Sequence, residues 1–370
     1  EQSNGVPFFG KAIRDGVVPL PRVLARAGYQ TAFTGKWHNV RRPDEYGFEW
    51  MANMFLSGMG HYRDPKLVQR LGEKPEAVKG FSTELFADAA IRFLEQRDPN
   101  RPFYLYLSFT APHDPREPLE RFERMYPSRD VPLPVNFMPR PRFDPGTLDI
   151  RDEKLLPLPR DPEQIRIERG RYFAQITHMD EQIGRVLARL DELKLADRTI
   201  VVFAGDNGLT LGAHGLLGKQ TLYDEGVRIP LIMRHPKLPA HSRTSAALVN
   251  HVDILPTVFE WVGVPLPEGV EGRSLAGVYA GRQAEVREAV FGRYDERDDP
   301  RFRSIRTTRY KLIRYLKLQR EELFDLQADP YELKDLSEDP SMQEVKQSLR
   351  ARLKEWVEKQ GDQVAVANWF

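Results

Sequence analysis

Lysine, histidine, aspartate and asparagine side chains follow three separate apolar segments of the sequence. Lys36 and His38 follow the stretch QTAFTG, and His113 follows the aromatic run PFYLYLSFTAP. Asp206 and Asn207 end a third apolar run, VVFAG. Carboxylate and amide oxygens suit Ca²⁺ or Mg²⁺ better than Zn²⁺, whereas lysine and histidine bind and protonate oxyanions. Together these residue types indicate a pocket for an oxyanion beside a hard metal ion.

A second basic pair lies in the glycine-containing stretch HGLLGKQTLYDEG. Lys219 follows His214 by five residues, and the two are predicted to face the same space. In such a pocket the lysines would bind non-bridging oxygens, the metal would polarise the central atom and a histidine would protonate the leaving oxygen. Cleavage of a sulfate or phosphate ester is the reaction class that this set favours. The alternative is structural, because Asp-Asn-Gly is ordinary turn chemistry and a single loop lysine or histidine is usually only surface.

The segments that must position these residues alternate between strand-like and helix-like patterns. Helices are predicted at 19–29, 82–97, 163–193 and 252–263, and strands at 30–35, 102–112, 198–208 and 228–236. This alternation predicts an α/β fold with a mostly parallel central sheet covered by helices on both faces. Ligands of such sheets bind beyond the carboxyl ends of the strands, so we expect the three polar clusters to share one rim.

The remainder of the chain shows two departures from this pattern. After about residue 284, short antiparallel strand patterns and a closing helix at 343–360 predict a smaller C-terminal antiparallel α+β subdomain. The predicted domains are therefore 1–283 and 284–370. Between 126 and 162 the chain is rich in proline and arginine without periodicity, which predicts a long loop over the rim or a mobile insertion.

The composition excludes several classes of function. The 370 residues carry a formal net charge of +1, so no global charge attracts nucleic acid or an anionic membrane. No apolar run reaches the roughly 18–20 residues of a membrane span. The absence of cysteine excludes disulfides, thiolate metal sites and a cysteine nucleophile within this sequence. The oligomeric state is not determined by any of these features.

Four motifs resemble the formylglycine-dependent (type I) sulfatases of the alkaline phosphatase superfamily. GYQTAFTGKWH is similar to the second signature of the family, and LSFTAPHDP to the segment with its third-strand histidine. FAGDNG with HGLLGKQTLYDEGVRIPLI resembles the metal-site and second-lysine region. RTTRYKLIRY with ELFDLQADPYELKDLSEDP resembles the C-terminal part of bacterial carbohydrate sulfatases. The motifs occur in the order of the family over essentially the whole chain, which implies an alkaline-phosphatase-like fold.

The resemblance implies a metal site and an anion site. Asp206 and Asn207 match Ca²⁺ ligands of the family, with Mg²⁺ as the less favoured ion. Lys36 and Lys219 match the lysines that bind the sulfate oxygens. The substrate implied is a sulfated saccharide, or another sulfate ester, and the location implied for the parent protein is periplasmic or secreted.

The resemblance also implies roles for three histidines. His113 would assist the leaving group, and His38 would act on the hydrated aldehyde of the formylglycine and on its sulfated form. His214 matches a position that lies near the substrate in many relatives, so it is a predicted substrate-binding residue.

The nucleophile of the family has no match in this sequence. It is a formylglycine made from Cys or Ser in a C/S-x-P-x-R motif, which precedes the GKWH signature together with an Asp pair that completes the metal site. Only 35 residues precede Lys36, and none of them fits either element. We expect that the segment with the nucleophile and the first strand of the sheet is missing, which leaves an exposed strand edge or a gap. We also expect this chain alone to be inactive and to bind metal weakly.

Two other functions remain open. The first is a phosphonate monoester or phosphodiester hydrolase of the same superfamily; those enzymes usually have Asp-His-Gly where this sequence has Asp206-Asn207-Gly208. The second is a truncated, non-catalytic sulfatase-like protein that binds a polyanion.

Overall fold

The computed structural model describes residues 11–238, 244–296 and 299–367, so the predicted domain limits 1 and 370 lie outside the described residues. The first elements are α1 (Leu20–Arg26), β1 (Gln30–Lys36), β2 (Trp50–Phe55), β3 (Lys66–Leu67), β4 (Glu76–Ala77), α2 (Ser82–Gln96), β5 (Phe103–Ser108), α3 (Glu120–Glu123) and α4 (Pro162–Glu192). They are followed by β6 (Val201–Ala204), α5 (Asp224–Val227), β7 (Leu231–Arg234), α6 (Ile254–Val262) and α7 (Ala276–Tyr279). The last are β8 (Val290–Glu296), β9 (Asp299–Arg306), β10 (Tyr310–Tyr315), β11 (Arg320–Asp325), α8 (Gln343–Lys359) and α9 (Gln363–Ala367).

The central sheet is parallel, with the strand order β2-β1-β5. Neighbouring residues Ala32 and Phe33 of β1 are both fully buried, as expected for a strand that is covered on both faces. On one face, α2 and α4 bury Phe93 and Leu190 in the same cluster as Ala32. On the other face, Phe33 packs in an aromatic cluster with Phe48. The predicted α/β fold with a parallel sheet flanked by helices is confirmed.

The long helix α4 begins where its sequence places a capping signal. The side chain of Asp161 accepts a hydrogen bond of 2.8 Å from the backbone N–H of Glu163, and Pro162 occupies the first turn, where no N–H is needed. The helix therefore starts directly after the proline- and arginine-rich segment 126–162, and it fixes the end of that segment.

The third predicted core strand, β6, differs from the expectation of one continuous sheet. It pairs with β7 in an antiparallel manner, and within the described ranges it is not joined to β1 or β5. In the three-stranded sheet β5 is an edge strand, with β1 as its partner. Tyr106 on β5 and Ile232 on β7 are exposed. The described part of the chain therefore has two strand edges, on β5 and β6, without a bridging strand between them.

The C-terminal part forms an antiparallel sheet in the order β11-β10-β9-β8. Helix α8 buries Leu349 and Leu353 in a cluster with Ile305 and Leu312 of the sheet. The predicted C-terminal antiparallel sheet and closing helix are thus confirmed, whereas the boundary at 283/284 stays a prediction. Among the described residues, none of the helices combines the length and the apolar composition that a membrane crossing requires.

Gly35, next to the end of β1, is a position where only glycine fits. Its φ is +109°, and a Cβ placed there would lie 1.9 Å from the carbonyl oxygen of Ser108 on β5. We expect Gly35→Ala to lower the free energy of unfolding by about 3 kcal/mol or more, because backbone strain and a steric clash add. Gly28 is the matched control, since its φ is +88° but nothing lies within 4 Å of an added Cβ. Gly28→Ala should cost only about 1–2 kcal/mol in urea unfolding; equal losses would contradict this assignment.

Candidate active site

The ends of β1 and β5 bring two of the predicted site segments to one edge of the sheet. Lys36 is the last residue of β1, and Gly35 pairs with Ser108, the last residue of β5. The two strands are parallel, so their carboxyl ends meet at the same edge. His113 follows β5, and its Nε2 lies 3.4 Å from Nζ of Lys219, which comes from a distant loop. The structure therefore brings together residues that are 106 positions apart in the sequence.

The positive charges at this edge influence one another. The pKa of Lys36 lies below its ordinary value, mainly because the ammonium group is partly buried and also because Lys219 repels it. Asp206 and Asp114 act in the opposite direction but do not cancel the effect. Lys36, Lys219 and Asp206 thus belong to one electrostatic site, which disfavours uncompensated positive charge.

His38 borders the same site. Although the residue is largely exposed, partial burial of the imidazole lowers its pKa, and the positive charges of Lys36 and Lys219 lower it further. The loop with Gly58 lies against its ring, where an added Cβ would be 2.7 Å from Nε2 of His38. Glycine at position 58 therefore leaves the space that this imidazole occupies.

The imidazole of His113 is held in one orientation. Its Nδ1 lies 2.8 Å from the backbone oxygen of Asp114, and its own carbonyl oxygen accepts a hydrogen bond of 2.7 Å from the hydroxyl of Tyr62. A backbone oxygen can only accept, so Nδ1 carries the proton in the neutral ring. Nε2 is then the acceptor that faces Lys219. A group bound beside Lys219 would consequently meet Nε2 of His113.

His113 should titrate below the ordinary histidine range. Its pKa is lowered mainly by burial and also by Lys36 and Lys219, and the hydrogen bond to Asp114 only partly offsets this. Because the folded-state pKa is below the unfolded value, His113 does not affect the free energy of unfolding above about pH 6.5, and it reduces stability as the pH falls from there through the folded-state pKa. Histidine NMR titration of the folded chain checks this; a His113 pKa at or above the ordinary value would contradict it.

Asp206 and Asn207 follow β6 in a tight turn. Oδ1 of Asp206 accepts a hydrogen bond of 2.9 Å from the N–H of Asn207. Gly208 packs closely against the segment 225–226. Its N–H donates to the oxygen of Gly226 at 3.0 Å, and an added Cβ would lie 1.9 Å from the oxygen of Glu225. The carboxylate and amide oxygens suit Ca²⁺, which takes about 6–8 oxygen ligands. Two side chains supply only part of that number.

The contacts that the structure describes for the side chain of His214 are with Asn136, Tyr223 and Glu225 rather than with Lys36, His113 or Lys219. His214 is only 3% exposed, its ring stacks on Tyr223 at a centroid distance of 3.8 Å, and its Nε2 lies 2.9 Å from Nδ2 of Asn136. These contacts place His214 in the buried support of the loop that ends at Lys219. Its assignment as a substrate-binding residue stays a prediction.

His214 also belongs to a cluster with Glu225 and Glu332, whose potential ligand atoms all lie within 4.8 Å of one another. The cluster differs from the predicted metal pair, Asp206 and Asn207. Its carboxylates already have partners: Nζ of Lys311 lies 2.7 Å from Oε1 of Glu332, and Asn136 donates to Oε1 of Glu225 at 2.6 Å. A buried ammonium group beside Glu332 opposes a second cation, so this cluster is best explained as structural.

Sequence reasoning missed four charged residues that surround the loops of the site. Arg151 binds the carboxylate of Asp114, the residue after His113. Glu153 accepts hydrogen bonds from the backbone beside Lys219, and Arg160 pairs with Glu153. Three of the four come from the segment 126–162, where the absence of periodicity gave no signal; only Asp114, next to His113, could have been found by its position.

Two family models match the chain. The model described as Sulfatase matches residues 2–264. The model described as N-sulphoglucosamine sulphohydrolase, C-terminal, matches residues 212–359. Together the matches include each of the residues predicted for the site.

Known proteins resemble the chain in sequence and in structure. An N-acetylglucosamine-6-O-sulfatase of Bacteroides thetaiotaomicron is 30% identical, over 86% of this chain and 68% of its own length. A protein solved in complex with its substrate D-glucosamine-2-N,6-O-disulfate has a TM-score of 0.81 and 27% identity, over 95% of this chain and 84% of its own. A phosphonate monoester hydrolase of Silicibacter pomeroyi has a TM-score of 0.77 at 21% identity, over 97% and 83% of the chains, a likeness of fold alone.

Proposed function

Because the chain belongs to the sulfatase family, we propose that it forms the larger part of a sulfatase that hydrolyses sulfate esters of a carbohydrate. The observation that carries the proposal is the approach of His113 and Lys219 at 3.4 Å, within the electrostatic reach of Lys36. Two ammonium groups lie near an imidazole, and burial with the nearby positive charges lowers the pKa of Lys36 and of His113, so an anion would stabilise this site. A sulfate group supplies that anion, and the sugar-sulfate relatives supply the class of substrate.

The residues of this chain would act through charge and proton position. Lys36 and Lys219 bind non-bridging sulfate oxygens, where negative charge accumulates during cleavage. An anion bound between them offsets the positive charges that lower the pKa of His113, so that Nε2 of His113 can carry a proton for the leaving sugar oxygen. His38 borders the same anion from the side of Lys36.

Two groups of the proposed enzyme are absent from these residues. A Ca²⁺ ion held in part by Asp206 and Asn207 would polarise the sulfate, and a formylglycine would supply the nucleophile. We propose that the formylglycine and further metal ligands belong to a segment outside this chain. The unpaired edges of β5 and β6 support this proposal, because each leaves backbone groups with which a further strand can pair.

The chain by itself is expected to show no sulfatase turnover and only weak Ca²⁺ affinity. The reason is that it contains neither a Cys/Ser-x-Pro-x-Arg motif before Lys36 nor enough ligands beside Asp206 and Asn207. Release of sulfate from an aryl sulfate, together with calcium calorimetry, checks both parts. Robust turnover by the purified chain with nothing added would contradict the proposal.

The substrate class is tested with a protein extended upstream so that it contains the nucleophile motif. We expect it to release sulfate from at least one member of a panel of sulfated saccharides, faster than from an aryl sulfate. The alternative, a phosphonate monoester or phosphodiester hydrolase, predicts the reverse ranking when an aryl phosphodiester is added to the panel. The non-catalytic alternative predicts saccharide binding without release from any of them.

A periplasmic or secreted location is part of the same proposal. It is supported only by the kind of relatives, bacterial carbohydrate sulfatases. Fractionation of cells that express the gene from its own start checks it; a purely cytoplasmic protein would contradict it.

A further inference from the structure

The segment Arg151-Asp152-Glu153, which we call the clasp, contacts both loops that carry the site residues His113 and Lys219. It lies in the proline- and arginine-rich segment, where the backbone forms a short 3₁₀ turn from Asp152 to Leu155. Each of its three side chains makes a polar contact with one of the two loops. No other three consecutive residues have this role among the contacts of the described residues given above.

The first arm of the clasp holds the loop of His113. Nη2 of Arg151 donates a hydrogen bond of 3.0 Å to Oδ1 of Asp114, and Nη1 binds the second oxygen of the same carboxylate. The contact is bidentate, which fixes the orientation of Asp114 as well as its distance. Asp114 is the residue whose backbone oxygen faces Nδ1 of His113. Arg151 therefore anchors the residue whose backbone oxygen orients the imidazole.

The second arm holds the loop of Lys219 through its backbone. The carboxylate of Glu153, only 4% exposed, accepts hydrogen bonds from the N–H groups of Leu217 at 3.0 Å and Gly218 at 2.8 Å. A Cβ at Gly218 would lie 2.9 Å from Cβ of Asp152, so glycine allows this close approach. Leu217 and Gly218, whose N–H groups bind Glu153, are the two residues that directly precede Lys219.

A third contact reaches Lys219 itself. Oδ2 of Asp152 accepts a hydrogen bond of 3.0 Å from Nε2 of Gln220, and Oε1 of Gln220 accepts one of 3.0 Å from the N–H of Lys219. Arg160 secures the second arm, because its guanidinium pairs with Glu153 and donates to the oxygen of Gly215 at 3.1 Å. The backbone of Lys219 is thus held from both sides by the clasp.

We propose that the clasp sets the separation between Nε2 of His113 and Nζ of Lys219, so that Arg151 and Glu153 are positioning residues of the anion site. The two loops come from different parts of the fold, and the clasp joins them through charged, directional contacts on each. This role rests on the proposed function for its use in catalysis, but the geometry that it predicts is measurable without turnover.

The test is the electrostatic coupling between Lys219 and His113 in the chain as described. The pKa of His113 is measured by NMR with labelled histidine, and its signal is identified by its loss in His113→Gln. Lys219→Met should raise that pKa by about 1, because one nearby positive charge is removed. In the background of Arg151→Ala or Glu153→Gln, the same substitution should raise it by less than half as much, since Lys219 is no longer held beside the ring.

Glu321→Gln is the matched control, because Glu321 pairs with Arg314 at 2.8 Å in a similarly buried position of the C-terminal sheet. It should lower stability but leave the coupling at its original size. Arg151→Lys should restore part of the coupling that Arg151→Ala loses. Should Glu153→Gln fail to fold, Arg151→Ala decides the question, because the Arg151 side chain is 45% exposed and costs less stability.

A coupling of original size in either folded clasp variant would overturn the proposal, and so would the absence of coupling in the parent chain. These outcomes are distinct from a failure of the proposed function. If the extended protein released no sulfate, the coupling measured in this chain would still stand. If the clasp variants kept the full coupling, sulfate release by the extended protein would still stand.

Discussion

Replacing Lys219 with methionine in a protein that includes the upstream nucleophile segment is expected to lower kcat/KM for sulfate ester hydrolysis by about 10²- to 10³-fold. Nζ of Lys219 lies 3.4 Å from Nε2 of His113, which is proposed to protonate the leaving oxygen, and its positive charge contributes to the lowered pKa of Lys36. Methionine keeps the length and the apolar part of the side chain, so the loss isolates the charge. A loss in kcat larger than the change in KM is expected, because negative charge accumulates on the oxygens during cleavage.

Lys79→Met is the matched control for this measurement. Lys79 is exposed and lies outside the contacts of the site described above. Its replacement should leave kcat/KM within about twofold, as surface substitutions generally do. A Lys219→Met variant with near-normal kcat/KM would remove Lys219 from the anion site, whatever the activity of the control.

Replacing Lys311 with methionine is expected to lower the free energy of unfolding by about 3–5 kcal/mol. The ammonium group is 1% exposed and lies 2.9 Å from Oδ1 of Asp224 and 2.7 Å from Oε1 of Glu332. Burial by itself would raise the pKa of Asp224, but Lys311 and Arg306 lower it more. Without Lys311, the buried carboxylate of Glu332 loses the ammonium group that pairs with it, and both Glu332 and Asp224 become costly to ionise.

Urea unfolding checks this value, with Lys317→Met as control. Lys317 pairs with Asp299, but its side chain is 54% exposed, so the loss should be at most about 1 kcal/mol. A Lys311→Met loss as small as that of the control would show that the pair is not required.

The sequence predicts most of the fold because apolar periodicity is a local property. The strand from Gln30 and the helices from Ser82 and Pro162 begin within a few residues of the predicted positions. The same local pattern predicts that Lys36 lies at a strand end, because a buried strand that is followed by glycine and a charged residue is expected to end there. The family resemblance depends on the same segments, in which the site residues lie directly beside core strands.

Other features depend on contacts between residues far apart in sequence, for which no local pattern gives a signal. The approach of His113 and Lys219 depends on how two loops close over one sheet edge. The position of His214 is decided by the ring of Tyr223 and by burial, neither of which its neighbours in sequence reveal.

The sequence by itself therefore determined most of the elements and their order. It also predicted the chemical kind of the site: cations, imidazoles and hard oxygen ligands after core strands. Only the tertiary structure decided which of these groups meet, and what holds them. The segment 126–162, without periodicity, predicted only a loop or an insertion. In the fold it contributes Glu153 and Arg160, which pair with each other in a buried position. They are also stabilised by the distant backbone groups of Gly218 and Gly215, which only folding brings within reach.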